Sequence, residues 1–421
     1  MSKRLFALFS VLIIASMALA ACGGASGGGE ATTLKIVSSL PMTGASLTQT
    51  QTIVNAMQLR VEQAGGTACG GKYTITYEAW DDASAALGKW DPAVETENAN
   101  KAAADPSIIA YLGTFNSGAA KLSIPILNAA GPLAMISPAN TYPGLTHAAT
   151  GLTEANEPDV YYPSGTRNYA RVAATDDLQG PVAVNFMVAQ GVKTLYILDD
   201  QEVYGKGVAD SVNQAAVAAG ITVIAQEGFD PKAADYKALM TKISTSNDGA
   251  APDAVYLGAI VDNNAAQVLK DKVAIMGDNE TVKFIGPDGI FTAALIEGAG
   301  ADVAEGVFAT TPGLALKDLG DAGKKFYADY AAKFKEETKE PYAILGYDTM
   351  SAALKAIEDV CAAGGDPTDR AAINSAVFAI KDFEGALGTW SFNADGDITL
   401  PYFVVGQVQG GAYADYGTFT P

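Results

Sequence analysis

Four polar stretches in this 421-residue chain carry the side chains best placed to hold another molecule, and each follows a short apolar run. After residues 108–112 comes Gly113-Thr114-Phe115-Asn116-Ser117-Gly118, and after 133–136 comes Ser137-Pro138-Ala139-Asn140-Thr141. Tyr204-Gly205 follows the run 194–198, and Gly286-Pro287-Asp288-Gly289 follows 282–285. Ser117 either caps a helix with its hydroxyl or turns that hydroxyl and the free N–H groups of the turn towards an anion. The second stretch adds a hydroxyl, amides and a carbonyl beside it. Asp288 is either a turn or cap residue or an acceptor for a cationic group. Tyr204 is either core or the lining of a cleft.

Bond-making chemistry has little to work with. His147 is the one histidine and sits in a polar stretch, where a solvated ring is expected, so imidazole-based acid–base and triad mechanisms are not anticipated. No G-x-S-x-G elbow joins an apolar strand to a helix (Gly24-Ala25-Ser26-Gly27-Gly28 matches the pattern only within the glycine-rich tether) and there is no H-E-x-x-H helix, which argues against an exported hydrolase and for a protein that is not an enzyme. Gly205-Lys206-Gly207 looks superficially like a dinucleotide loop, but Asp210 stands at the third glycine position and there is no phosphate-binding G-x-x-x-x-G-K-[ST]. No cofactor is expected. Cys69 and Cys361 have no Cys or His at ligand spacing, so no metal site is expected either.

The N-terminus points to export. Lys3 and Arg4 precede an apolar run at 5–19, too short for a settled membrane span and fitting a secretory signal. The run ends in Leu19-Ala20-Ala21-Cys22, which resembles the bacterial lipobox. That resemblance implies removal of residues 1–21 and a diacylglycerol on the Cys22 sulfur, adding roughly 0.8 kcal/mol of membrane affinity per buried methylene. Residues 22–33 are glycine-rich and read as a flexible tether. Two thiols in an exported chain pair more often than they stay free. With 49% hydrophobic and 18% charged residues the remainder should fold into substantial cores. A net charge of −20 and no basic stripe argue against nucleic acid as a partner.

The elements that must position the polar stretches alternate. Residues 34–40 read as a strand; Ile53, Val54, Met57, Val61 and Ala64 then share one helical face, which Gly65-Gly66 terminates. Strands at 73–79, 108–112 and 133–136 follow, with a helix starting near Ser117. The same grammar restarts after Asp176. Pro181 sits in the first turn of a helix that Gly191 ends, and strands follow at 194–198, 221–225, 254–257 and 282–285. Strand–helix alternation implies parallel sheets covered by helices on both faces, here in two α/β lobes. The stretch from His147 to Arg171, with Pro158 and Pro163, is the visible break between them. In open parallel sheets ligands bind outside the carboxyl ends of the strands, where all four polar stretches lie.

Taken in order, Asp81-Asp82, Leu112 to Ser117, Ile136-Ser137-Pro138-Ala139, Gln179-Gly180-Pro181, Tyr204-Gly205 and Gly286-Pro287-Asp288-Gly289 resemble the leucine/isoleucine/valine-binding family of periplasmic proteins. The resemblance implies a type I periplasmic-binding-protein fold: two doubly wound parallel-sheet lobes joined by three hinge crossings and closing over a ligand. It places residues 34–171 and 310–390 in one lobe and 172–309 and 391–421 in the other. It also implies that Ser117 and Thr141 hold a ligand α-carboxylate, with Asn140 in the same turn. The Ala139 carbonyl and the Asp288 carboxylate hold the ammonium, and Phe115, Tyr204 and Ile260 line the pocket. Through the family topology, Cys69 and Cys361 fall in the first lobe as a disulfide. Three departures stand out: Asp288 where glutamate is common, Ile260 at an aromatic wall position, and no aromatic after Thr43-Gly44-Ala45. The function implied is that of an extracytoplasmic solute-binding lipoprotein of an ABC transporter. It would act as a monomer, lipid-anchored to a bacterial membrane, and pass a small amino-acid-like ligand to a permease. A sensory module of the same fold is the alternative, and would be expected to continue into a membrane span and an effector.

Overall fold

The computed structural model describes residues 32–421 apart from Glu336 and Lys339. The signal segment, most of the tether and Cys22 lie outside the described residues.

In chain order the strands of the first lobe are β1 (Thr32–Leu40), β2 (Thr67–Ala68), β3 (Tyr73–Asp81), β4 (Ala83–Ser84), β5 (Lys89–Trp90), β6 (Ile108–Gly113), β7 (Ala134–Ser137) and β8 (Tyr169–Arg171). Helices α1 (Leu47–Gln63), α2 (Pro92–Ala104) and α3 (Ser117–Asn128) lie between them. The six-stranded sheet runs β2-β3-β1-β6-β7-β8, parallel except for the short edge strand β2. The second lobe opens with α4 (Asp176–Ala189), β9 (Thr194–Asp199), α5 (Val203–Ala218), β10 (Thr222–Gly228), α6 (Lys237–Ile243) and β11 (Ala254–Gly258). It continues with α7 (Ala265–Met276), β12 (Lys283–Gly286), α8 (Ala293–Ala299), α9 (Ala301–Ala304) and β13 (Phe308–Pro312). Helices α10 (Asp321–Phe334), α11 (Ala343–Ala362) and α12 (Arg370–Phe378) then pack on the first sheet, beside the ribbon β14 (Phe383–Gly385) and β15 (Gly388–Trp390). Finally β16 (Phe403–Gln409) and β17 (Ala412–Phe419) return antiparallel to the second sheet, whose order is β10-β9-β11-β12-β13-β16-β17.

Each sheet is buried on both faces, as continuous apolar strands require. The two-residue period is plain in β9, where Tyr196 and Leu198 enter one core and Leu195 and Ile197 the other. The Cys69–Cys361 disulfide, with Cα atoms 5.7 Å apart, ties the loop after β2 to the end of α11. Among the described residues no helix is long and apolar enough to cross a membrane.

The lobes exchange the chain three times, at 172–175, 313–320 and 399–402. These ribbons pair with one another: the Arg171 N–H donates to Gly396 O at 2.9 Å and the Gly313 N–H to Tyr402 O at 2.9 Å. The last crossing comes later than the expected position near Trp390, because Trp390, Phe392 and Ile398 all pack into the first lobe's core. The break expected from His147 to Arg171 is not a linker. It folds onto the first lobe, burying Tyr161 and Tyr162, and ends in β8, which joins the first sheet.

His147 departs further from expectation. Its ring is not simply solvated: Nδ1 meets Asp397 Oδ2 and Nε2 meets Asp177 Oδ2, both at 3.1 Å. Asp397 also accepts from Nε of the fully buried Arg171 at 2.6 Å. The Arg171 Nη1 group donates to Tyr142 O at 2.7 Å and Nη2 donates to the Thr146 hydroxyl. Burial works against charge on Asp397, but the Arg171 guanidinium and the His147 ring override it and hold the carboxyl far below its ordinary range. The hinge is thus pinned by a charge cluster whose members all have partners.

Candidate functional site: a cleft between the lobes

Both lobes contribute to a small, nearly closed cavity of about 10 Å³. Phe115, Asn116 and Ala139 come from the first lobe, and Tyr204, Ile260, Asp288 and Gly289 from the second. Every lining residue sits just past the carboxyl end of a parallel strand (β6, β7, β9, β11 or β12), where strand-end loops of open sheets converge.

The first-lobe wall is a pair of turns. Ser137 Oγ accepts from the N–H groups of Ala139 and Asn140 at 3.0 and 2.8 Å and donates to Thr114 O at 2.8 Å, locking the two turns together. Asn140 donates from Nδ2 to Phe115 O at 2.9 Å and accepts from the Tyr169 hydroxyl at 3.0 Å. Its side chain is therefore committed to holding Phe115. Ser117 is the first residue of α3, whose cap is Asn116 with no side-chain cap bond; the Ser117 hydroxyl instead accepts from the Tyr142 N–H at 3.4 Å. Capping is thus not its role. Thr141 is fully buried and its hydroxyl has no hydrogen-bond partner. Ser117, Asn140 and Thr141 lie behind the lining rather than in it.

The second-lobe wall centres on Asp288, which is 4% exposed. Its carboxylate accepts from Gln179 Nε2 at 2.8 Å and from the Tyr342 hydroxyl at 2.7 Å. Burial raises its pKa and these two bonds recover only part of the shift. Tyr342 comes from the first-lobe side, where its ring meets Phe115 edge-on with centroids 5.8 Å apart, so the Asp288 bond spans the lobes. The Gly289 N–H donates to the Tyr204 hydroxyl at 2.8 Å. A Cβ at Gly289 would stand 2.6 Å from Ala259 O and 2.8 Å from the Tyr204 ring, so only glycine allows that approach.

Two residues here escape sequence reasoning. Asp176 opens α4, its N–H donating to Thr141 O at 2.9 Å, yet both carboxylate oxygens are buried without a hydrogen-bond partner. Burial, then the neighbouring Asp288 charge, push its pKa well up, and the nearby Thr141 hydroxyl eases this only in part. An acidic residue in the first turn of a helix is ordinary dipole chemistry, so nothing local marks it. Tyr342 lies in a short segment far along the chain, and only the tertiary fold brings it to Asp288. Among the described residues no His, Cys, Asp or Glu group has a metal-binding arrangement.

Two parallel-sheet lobes, three paired crossings and a cavity split between the lobes define a two-lobed solute-binding protein. The family model described as periplasmic binding protein matches residues 33–412, and the chain belongs to that family. Its members are extracytoplasmic and bind small ligands, such as amino acids, for ABC permeases. One relative is the leucine-, isoleucine-, valine-, threonine- and alanine-binding protein of Pseudomonas aeruginosa, 28% identical over 404 residues, covering 94% of each chain. Among solved structures, the leucine-binding protein LivK of Thermotoga maritima is similar with a TM-score of 0.76, 23% identity, and 92% and 99% of the two chains covered. A solute-binding protein of R. palustris in complex with benzoate is also similar, with a TM-score of 0.72, 21% identity, and 92% and 97% covered.

Proposed function

We propose that this chain is the lipid-anchored, monomeric receptor of an ABC importer and binds a small amino acid, of branched-chain type or related, between its closing lobes. The observation that carries the reading is the pair of buried carboxylates, Asp288 in the cavity wall and Asp176 behind it, at a site whose hydrogen-bonding side chains supply no cation. Buried carboxylates without a counter-charge are costly, and a ligand ammonium relieves that cost. Behind the facing wall, Ser117, Thr141 and the N–H groups of the two turns suit an α-carboxylate that enters as the lobes part. Phe115, Tyr204 and Ile260 supply the apolar part of the wall, against which a short side chain would pack once the lobes part to admit it. A benzoate-like anion would meet the same carboxylates unfavourably, although three similar solved structures hold benzoate or a hydroxybenzoate. Asp288, a methylene shorter than glutamate, is reached by Tyr342 and Gln179, which bring its charge to the cavity edge.

Binding needs no covalent step. The ligand touches both lobes, so it favours the closed arrangement by its differential affinity, and the closed form is what a permease recognises. A thermal-shift screen of L-leucine, L-isoleucine, L-valine, L-alanine, L-threonine and benzoate tests the reading. An amino acid at a hundred times its dissociation constant stabilises the protein by about 2.7 kcal/mol. A shift with benzoate and none with any amino acid would overturn the amino-acid assignment.

A further inference from the structure

The short ribbon β4–β5 leaves the first lobe directly after β3 and reaches across the mouth of the cleft. Its root is fixed: the Asp91 N–H donates to Asp82 O at 2.8 Å, and the Asp91 carboxylate caps α2 by accepting from the Ala93 N–H at 2.9 Å. Its tip bonds to the other lobe. Lys89 pairs with Glu202 and donates to Asn263 Oδ1 at 2.7 Å, and the Trp90 indole N–H donates to the second Glu202 oxygen at 2.9 Å. Both oxygens of one second-lobe carboxylate are therefore held by adjacent residues of a first-lobe ribbon.

The Trp90 ring packs against Tyr204, Val208 and Ile260. Tyr204 and Ile260 are themselves cavity lining. On its first-lobe side the ring passes so close to α3 that a Cβ at Gly118 would lie 2.9 Å from it. The indole is thus wedged between the lobes, directly behind two walls of the cavity. Beside it, Asp262 of the second lobe accepts from the Ala45 and Ser46 N–H groups at 2.5 and 3.1 Å, a second bond across the mouth. Groups that served only the ribbon's own fold would bond to their own lobe. These bond to the opposite one and can do so only when the lobes are together.

We propose that Trp90 is a positioning residue for ligand recognition: clamped through Lys89 and its own N–H to Glu202, it backs Tyr204 and Ile260 and straps the lobes shut. This rests on the cleft being the ligand site. The strap sets how long a ligand stays and how large a side chain fits, whereas association, which begins from the open form, is little changed.

The test has two arms. In the first, a zero-length carbodiimide cross-link is sought between the Lys89 amine and the Glu202 carboxylate in the full chain, without ligand and with L-leucine, and mapped by peptide mass spectrometry. The expected result is a Lys89–Glu202 cross-link that is absent from Lys89→Met. In the second, stopped-flow dissociation of L-leucine, or of benzoate if that is what binds, is compared for wild type, Trp90→Phe and Trp90→Ala. Trp90→Ala should speed dissociation by about ten- to a hundredfold with association changed by less than about threefold. Trp90→Phe should fall between, and the melting temperature of the ligand-free protein should stay put. Failure to form the cross-link, or unchanged dissociation in Trp90→Ala, overturns the proposal. If the wild type binds neither probe, the reading of the cleft as an amino-acid site fails by itself, and the cross-link alone decides whether the strap exists.

Discussion

Two clusters of buried charge lie close together in this molecule and are built in opposite ways. At the hinge, Arg171, Asp397, His147 and Asp177 form a chain of two basic and two acidic groups, each with a partner. At the cleft, Asp288 and the neighbouring Asp176 are both acidic and have no basic hydrogen-bond partner, and the Asp288 charge adds to burial in raising the Asp176 pKa. The hinge cluster is complete without a second molecule. On the proposed reading, the cleft cluster is balanced by the ligand's ammonium. On that reading one arrangement stabilises the fold and the other awaits a ligand, so burial of charge alone does not separate the two clusters, whereas the charges that face each carboxylate do.

The sharpest way to break this comparison is to remove the hinge cation. Arg171→Met keeps much of the side-chain bulk but leaves Asp397 buried without its main counter-charge. The expected loss of stability is about 3–5 kcal/mol, measured by urea unfolding of the ligand-free protein. A loss below about 1 kcal/mol would show the hinge cluster to be as unbalanced as the cleft.

The complementary change is Asp288→Asn, which keeps the shape and removes the charge; the Tyr342 hydroxyl can turn from donor to acceptor to suit the amide. Here the fold should not suffer, because a like-charge repulsion with Asp176 disappears. Affinity for L-leucine should fall by about 2–5 kcal/mol in calorimetric titration, and affinity for its desamino analogue 4-methylpentanoate by much less. Equal losses for the two compounds would refute the ammonium role of Asp288.

A smaller effect separates recognition from packing on the first-lobe wall. The Thr141 hydroxyl makes no well-formed hydrogen bond and only eases the charge of the nearby Asp176, so Thr141→Ala should cost little ligand-free stability while costing about 1.5–3 kcal/mol of affinity for a carboxylate-bearing ligand. Ser117→Ala should cost a similar affinity and only a little stability, since the bond it accepts from Tyr142 is long at 3.4 Å. Variants that bind normally but unfold earlier would return both residues to a structural role.

How much of this was legible in the sequence follows from how local each signal is. Strand β6 and the turn Gly113 to Ser117 announce themselves through an apolar run followed by small polar residues, and so do the turns after β7 and β12. Asp288, Phe115 and Tyr204 could therefore be placed from spacing and resemblance. Arg171, Asp397 and Asp176 could not, because their meaning lies in charges far along the chain, Asp397 facing Arg171 and Asp288 facing Asp176. Tyr342 was hidden for the same reason. His147 looked solvated because its immediate neighbours are polar, while the carboxylates that enclose it come from α4 and from the segment just before the third crossing. The Trp90 ribbon consists of two-residue strands, below any useful periodicity.

The least of the expected effects lies at the edge of the hinge cluster and depends on pH. Hydrogen bonds from the His147 ring to Asp177 and Asp397 raise its pKa to about 9, against 6.5 for a free imidazole, with burial opposing the shift. The folded state therefore holds this proton more tightly than the unfolded chain. The resulting stability is fully present below about pH 6.5 and is lost as pH rises through 9. A quarter of the side chain remains exposed, and solvent screening reduces the effect to about 1 kcal/mol. Lys272, whose pKa burial lowers to about 7, titrates in the same range, so wild type alone would mix the two groups. Comparison with His147→Gln removes that ambiguity, because Lys272 is present in both proteins. In urea unfolding the stability difference between the two should be about 1 kcal/mol larger at pH 6 than near pH 10. An equal difference at both values would mean that His147 carries no charge in the folded hinge, and that Arg171 alone balances the two carboxylates.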